Sequence, residues 1–238
     1  MEGEVRPLVE EKERVQPSER PLYTVAEAAR YLEIPVSTVR SWISGRRFPT
    51  SEGLKESPPV IRLPEPEGGN RLSLSNLVEL YVLRTLRTQH AVRLQDIRKA
   101  LDYAERELGI ERLLIHPELK TTGGDLFLEY YGQLISLNRS GQLALKEVLK
   151  EALERVVWEN DHPVRLFLPV PMREGHKSVF IDPRVRYGRP SVGGVETRVI
   201  AARVDAGEDP QALAEDYDLP PEAILDALVF ESALARAA

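Results

Sequence analysis

The stretch Tyr23-Thr-Val-Ala-Glu-Ala-Ala-Arg-Tyr-Leu-Glu-Ile-Pro-Val-Ser-Thr-Val-Arg-Ser-Trp42 admits few folds. Thr24 stands where an N-cap belongs, with Glu27 three residues on. That is the spacing of a capping box, in which each side chain satisfies the other's orphan backbone N–H. Ala28, Ala29 and Leu32 then give one inward stripe at helical spacing. Ile34-Pro35-Val36 breaks the pattern, because proline removes a helical hydrogen bond. Ser37 can cap a second helix whose inward residues are Val39, Trp42 and Ile43. Its open side carries Ser37, Thr38, Arg40 and Ser41. Two short helices joined by a tight turn predict a helix-turn-helix, and its second helix is what a major groove admits. Any small helical hairpin packs in the same way, so the flanking sequence has to decide.

Gly45-Arg-Arg-Phe48 puts Arg46 and Arg47 just past the second helix. A Pro/Gly-rich stretch follows with a short apolar strand, Val60-Ile-Arg-Leu63. Glu67-Gly-Gly-Asn70 reads as a turn and Arg71-Leu-Ser-Leu74 as the returning strand. Ser75 can cap the helix that begins Asn76-Leu-Val-Glu-Leu80. The expectation is a two-stranded wing bearing Arg62 and Arg71, then a helix. This resembles the winged helix of the MerR family, through Tyr23-Thr-Val-Ala-Glu-Ala-Ala29, Val36-Ser-Thr-Val-Arg-Ser-Trp42 and Arg71. Val92-Arg-Leu-Gln-Asp-Ile-Arg98 is similar to that family's helix after the wing. The resemblance implies DNA binding by Ser37, Thr38, Arg40, Ser41, Arg46, Arg47, Arg62 and Arg71. Arginine suits the task, since its planar fork matches phosphate oxygens and guanine edges.

A net charge of −6 looks wrong for a DNA binder until it is divided. Residues 22–100 hold 12 Lys and Arg against 8 Asp and Glu, and residues 200–238 hold 2 against 9. The basic part is the one that must meet phosphate, and the acidic end would be repelled by it. The two ends therefore want different partners. There is no cysteine, which excludes disulfides and thiolate metal sites. The charged N-terminus lacks a signal-like apolar run and no run is long enough to span a membrane, so a cytoplasmic protein is expected.

Residues 1–20 read as a mobile tail, 21–110 as the DNA-binding domain, 111–175 as a small central α+β domain and 176–238 as a C-terminal domain. The expected fold class is α+β. In the first domain the helix after the wing carries Leu77, Leu80, Tyr81, Leu83 and Leu86. Another runs from near Leu94 through Ile97, Leu101 and Leu108 to Gly109. In the central region Arg112–Ile115, Asp125–Tyr131, Gln133–Leu137 and Val164–Leu168 suit strands. Asn138–Gly141 suits a turn, Gln142–Leu145 a strand or a helix start, and Leu149, Leu153 and Val156–Trp158 a helix.

Phe180–Arg184, Tyr187–Val192 and Val195–Arg198 read as short strands, followed by three helices. Asp209-Pro210 opens the second of these as N-cap and first-turn proline. This end resembles a family of uncharacterised function, a β-hairpin followed by three helices, through Ile181-Asp-Pro-Arg-Val185, Gly188-Arg-Pro190 and Ala206-Gly-Glu-Asp-Pro-Gln-Ala-Leu-Ala-Glu-Asp-Tyr-Asp-Leu219. Members accompany bacterial toxin–antitoxin pairs of the VapBC type, and longer members have an N-terminal winged helix. The resemblance implies a VapB-type antitoxin whose partner is a PIN-like ribonuclease, acting as a homodimer on operator DNA. Arg184, Arg186, Arg189 and Arg198 are the candidate toxin-binding residues.

The three-helix end also looks like a second helix-turn-helix, whose charge suits protein contact or dimerisation better than DNA. Glu208, Asp209, Glu215, Asp216 and Asp218 read as a solvated acidic face, or as attraction for a basic partner. His90, His116, His162 and His176 are scattered, and no nucleophile–base pair or metal signature stands in the sequence. Neither an enzyme nor a cofactor is expected. The alternative is a MerR-like regulator sensing a small ligand in the central domain, where Phe127, Tyr130, Tyr131 and Phe167 could line a cavity or simply pack.

Overall fold

A computed structural model describes residues 16–50, 53–64, 70–89, 93–116, 147, 149–173 and 175–236. The chain is α+β. A 3-10 turn over Pro17–Glu19 precedes α1 (Val25–Tyr31), α2 (Val36–Ser44), β1 (Arg46–Thr50), β2 (Gly53–Ser57), α3 (Leu74–Gln89) and α4 (Leu94–Leu108). After a second 3-10 turn, Leu113–Ile115, come β3 (Val156–Glu159), β4 (His162–Phe167), β5 (Phe180–Ile181), β6 (Ser191–Val192) and β7 (Val195–Glu196). The chain closes with α5 (Thr197–Asp205), α6 (Pro210–Asp216) and α7 (Pro221–Arg236).

The capping box forms as the spacing demands. Thr24 Oγ1 accepts the Glu27 N–H at 3.1 Å, and the Glu27 carboxylate accepts the Thr24 N–H at 2.8 Å. Ala28, Ala29 and Leu32 are buried, as are Val39, Trp42 and Ile43 on α2. Helix α2 starts at Val36 with Pro35 at the cap position, so Ser37 falls inside the first turn and does not cap it.

The wing lies elsewhere than the sequence suggested. It is β1 against β2, antiparallel from Arg46↔Ser57 to Thr50↔Gly53. Gly45 explains why. Its φ of 71° turns the chain straight out of α2, and a Cβ there would sit 2.4 Å from the Ser57 carbonyl oxygen. Val60 and Ile61 instead donate to the Trp42 carbonyl at 2.7 and 3.1 Å, and Leu72 forms an isolated bridge with Tyr23. Ile61 and Leu72 are buried under the helices and Val60 half-buried, and the two segments do not pair with each other. Residues 67–69 of the expected turn lie outside the described residues. The next cap is also displaced. Ser73 and Asn76 bond reciprocally at 3.1–3.2 Å, and Ser75 is buried with its hydroxyl on Glu19.

Helix α3 holds the molecule together. Leu77, Leu80, Leu83 and Leu86 are fully buried, each contributing roughly 1.5–3 kcal/mol. The helix packs on β4 and on both 3-10 turns. Helix α4 ends at Gly109 in the left-handed region as expected, although Leu108 is exposed and the inward face is Ile97, Ala100 and Ala104. Arg112–Ile115 does not form the expected strand. Arg112 takes φ 45° and drives its guanidinium onto Glu79 at 2.9–3.0 Å and Glu19 at 2.8 Å. Burial works against that charge, but the two carboxylates outweigh it and raise the Arg112 pKa. Glu19, which the sequence placed in a mobile tail, is therefore anchored.

The expected elements over 125–131, 133–137, 138–141 and 142–145 lie outside the described residues. Helical backbone reaches Leu153, but Val156–Trp158 leaves it and forms β3. Asn160 and Asp161, at φ 48° and 63°, reverse the chain in two residues, the backbone of a I′ hairpin turn. Tyr187 likewise departs from the expected strand and sits in a 3-10 turn over Arg186–Gly188.

Strands β3 to β7 form one antiparallel sheet in sequence order, which crosses the boundary drawn at 175/176. Asp209 caps α6 by accepting the Ala212 N–H at 3.0 Å, with Pro210 at the first helical position. Helix α7 packs on α5 and α6, and its far end reaches α1. The Tyr31 and Phe230 rings lie 6.4 Å apart. One hydrophobic cluster runs through the helix-turn-helix, the sheet and the C-terminal helices.

Candidate nucleic-acid interface

Burying Val39, Trp42 and Ile43 turns the other side of α2 to solvent. Ser37 and Arg40 are exposed, and Thr38 and Ser41 half-buried. The wing leaves the end of this helix, so Arg46 continues the same surface. These five residues line one open groove of about 1000 Å³. Arg84 and Arg87, on the last turns of α3, line it too. The sequence reading missed both. Their signal was present: they stand three apart, side by side on the last turns of α3. Arg84 is held by Glu33, from the turn between α1 and α2, at 2.9 Å.

Arg98 on α4 adds to the positive field. Burial lowers its pKa first, and the nearby charge of Arg46 lowers it further. Arg46 also lies over the Phe48 ring, 5.1 Å from its centroid, which restrains its direction.

The remaining candidates sit apart from this groove. Arg47 points to the other face of the hairpin and pairs with Glu56. Arg62 lies beyond the wing and makes a bidentate pair with Glu105 at 2.6 and 2.8 Å. Arg71 also lies beyond it and donates to the Leu22 carbonyl at 3.0 Å.

Arg184, Arg186, Arg189 and Arg198 occupy the C-terminal region, and all four are exposed. Arg184 is spoken for: it pairs with Asp182 at 3.0 Å and Glu159 at 2.7 Å. Burial alone would raise the Asp182 pKa, but the bonds from Arg184 hold it below the usual carboxylate range. Arg189 meets Glu196 at 3.4 Å, and Arg186 donates to the Gly194 carbonyl at 2.9 Å. Of the acidic residues, Glu208 and Asp216 both clamp Arg203 and Asp209 is a helix cap. His176, one of the scattered histidines, meets a carboxylate in the fold. Its Nδ1 lies 2.9 Å from Asp226, which is fifty residues away in sequence. Among the described residues, no three His, Asp or Glu side chains converge to hold a metal ion. No described helix is long and apolar enough to cross a membrane. Phe167, offered as a cavity wall, stacks edge-on against Phe180 at 6.1 Å, while Phe127, Tyr130 and Tyr131 lie outside the described residues.

Known proteins resemble the chain in both halves. The family described as "Putative DNA-binding HTH domain" matches residues 21–101, and "Protein of unknown function (DUF433)" matches residues 179–230. The "Putative antitoxin VapB45" of Mycobacterium tuberculosis is 33% identical over 226 residues, 87% of this chain and 92% of the relative. "Uncharacterized protein Rv2308" of the same organism is 26% identical over 220 residues, 88% and 90% of the two chains. The crystal structure of Rv2018 from Mycobacterium tuberculosis superposes with a TM-score of 0.67 at 29% identity, covering 88% of this chain and 98% of that one.

Proposed function

We propose, from the premise that this chain belongs to the family of the mycobacterial VapB45 protein, that it is an antitoxin with two working surfaces. The groove around α2 binds operator DNA and represses the chain's own operon. The surface bearing Arg184, Arg186, Arg189 and Arg198 binds and neutralises a PIN-like ribonuclease. The observation that carries the DNA half is the groove itself. It gathers Ser37, Thr38, Arg40, Ser41 and Arg46 with Arg84 and Arg87 on the basic part of an otherwise acidic chain. Arg47, Arg62 and Arg71, apart from the groove, serve as outer phosphate contacts. One such surface covers a single half-site, so the working species on DNA is a homodimer that reads two. Residues 21–110 act as the DNA-binding unit and 176–238 as the toxin-binding unit, with 111–175 between them.

The toxin half rests on family membership and on charge. A ribonuclease channel that holds metal ions through carboxylates is a natural partner for exposed arginines. Co-expression tests it. The full chain should rescue cells producing a PIN-like ribonuclease from the same genome. It should still do so when Arg40, Arg46 and Arg84 are all replaced by alanine, while gel shifts on its own promoter are abolished. Rescue that fails with the wild-type chain refutes the antitoxin reading, and an unshifted promoter refutes the repressor reading.

A further inference from the structure

Tyr187 stands 88% exposed, directly beside the buried Gly188. Its backbone is costly. Arg186 at φ 48° and Tyr187 at φ 55° are consecutive side-chain-bearing residues in the left-handed region, followed by Gly188 at φ 76°. That region is unfavourable for a residue with a side chain unless the surroundings enforce it. Here they do. Gly188 is buried against the Tyr23 ring, and a Cβ at 188 would lie 2.4 Å from the Tyr23 hydroxyl oxygen. Arg186 Nε donates to the Gly194 carbonyl, and the Gly188 N–H donates to the Val185 carbonyl at 2.9 Å. The fold thus spends backbone strain to hold a large aromatic ring in water.

We infer that Tyr187 is the anchor of the toxin interface. It inserts into an apolar pocket of the ribonuclease rimmed by carboxylates, with Arg186 and Arg198 meeting that rim. This rests on the antitoxin reading and deepens it. Exposed Tyr and Arg side chains are the types that dominate binding energy at protein interfaces, and a ring fixed in advance loses little freedom on docking. The charge around the loop selects an acidic protein partner. Arg186 and Arg198 carry no ion pair among the described residues, so their charge is available to carboxylates. A single-stranded RNA could also stack on the ring. It is disfavoured because Arg184 and Arg189 are already neutralised by Glu159, Asp182 and Glu196, which leaves no continuous basic track for a nucleotide backbone to follow.

The test is calorimetric titration of the full chain against the PIN-like ribonuclease from which it rescues cells, inactivated at one catalytic carboxylate. Tyr187→Ala should weaken binding at least about thirtyfold, and Tyr187→Phe should recover most of it. Arg186→Glu combined with Arg198→Glu should weaken it as well, with melting temperatures unchanged throughout. A wild-type chain that does not bind the ribonuclease overturns both readings. Binding by Tyr187→Ala at wild-type strength overturns the anchor alone. Loss of affinity for a fluorescent single-stranded RNA, with ribonuclease binding intact, assigns the ring to RNA and overturns it too.

Discussion

Asp226 is 1% exposed, and Arg173, His176 and Ser178 all turn onto its carboxylate. Removing one side of a buried ion pair strands the other charge, at a cost of about 3–5 kcal/mol. Asp226→Ala should lower the unfolding free energy in urea by that amount, and a loss under about 1 kcal/mol would show that the cluster is slack. Two phenols, Tyr23 buried and Tyr31 half-buried, set an alkaline limit. Burial, then the neighbouring carboxylates, push Tyr31 up to about 12, and burial raises Tyr23 further. The fold favours the neutral ring, so this stability is complete below the unfolded value of about 10 and is lost as pH rises through about 12. Alkaline unfolding followed by circular dichroism should show that loss, and Tyr31→Phe should remove part of its slope. At this scale the sequence was readable where partners are close neighbours. Thr24 with Glu27, and Asp209 at its helix start, follow from spacing alone. Arg112 with Glu79 and His176 with Asp226 do not, because no spacing rule joins residues 33 and 50 positions apart.

The recognition helix was legible as an element because its inward stripe and the breaking proline leave one solution. The wing was not. Val60–Leu63 and Arg71–Leu74 had the apolar content of strands, and that content was in fact the mark of burial beneath α2 and against Tyr23. The true hairpin, with Arg46 and Arg47 on β1 and Lys55 and Glu56 on β2, is nearly all exposed, so no period of two between apolar and polar betrayed it. Its register matters for DNA. Successive residues of a strand face opposite sides, and Arg46 enters the groove while Arg47 turns to Glu56. Arg46→Ala should therefore weaken promoter binding by about 1–3 kcal/mol, and Arg47→Ala by clearly less, in gel shifts at one salt concentration. Equal losses would mean that the hairpin rotates on the duplex. Thr24→Ala, which removes the cap of α1, should cost about 1 kcal/mol of stability in urea without altering the salt dependence of DNA binding.

Across the whole molecule, the DNA-facing helices and the C-terminal helices share a single hydrophobic cluster, and one sheet spans the segment between them. Thermal unfolding should therefore be one transition. A fragment beginning at Lys177 would lose β4 and expose the edge of β5, so it should aggregate in size-exclusion chromatography where the full chain does not. Two well-separated melting steps, or a well-behaved fragment, would contradict this. The meeting of Gly188 with Tyr23 carries a consequence for descent. The helix-turn-helix and the C-terminal family can each be recognised on their own, which suggests parts that recombine freely. Yet a chain that inherited this C-terminal segment beside a foreign helix-turn-helix would need a partner for the hollow at residue 188 that is shaped like the Tyr23 ring. In this chain the two halves are one fit, and a side chain added at 188 would have to be answered by a smaller residue at 23.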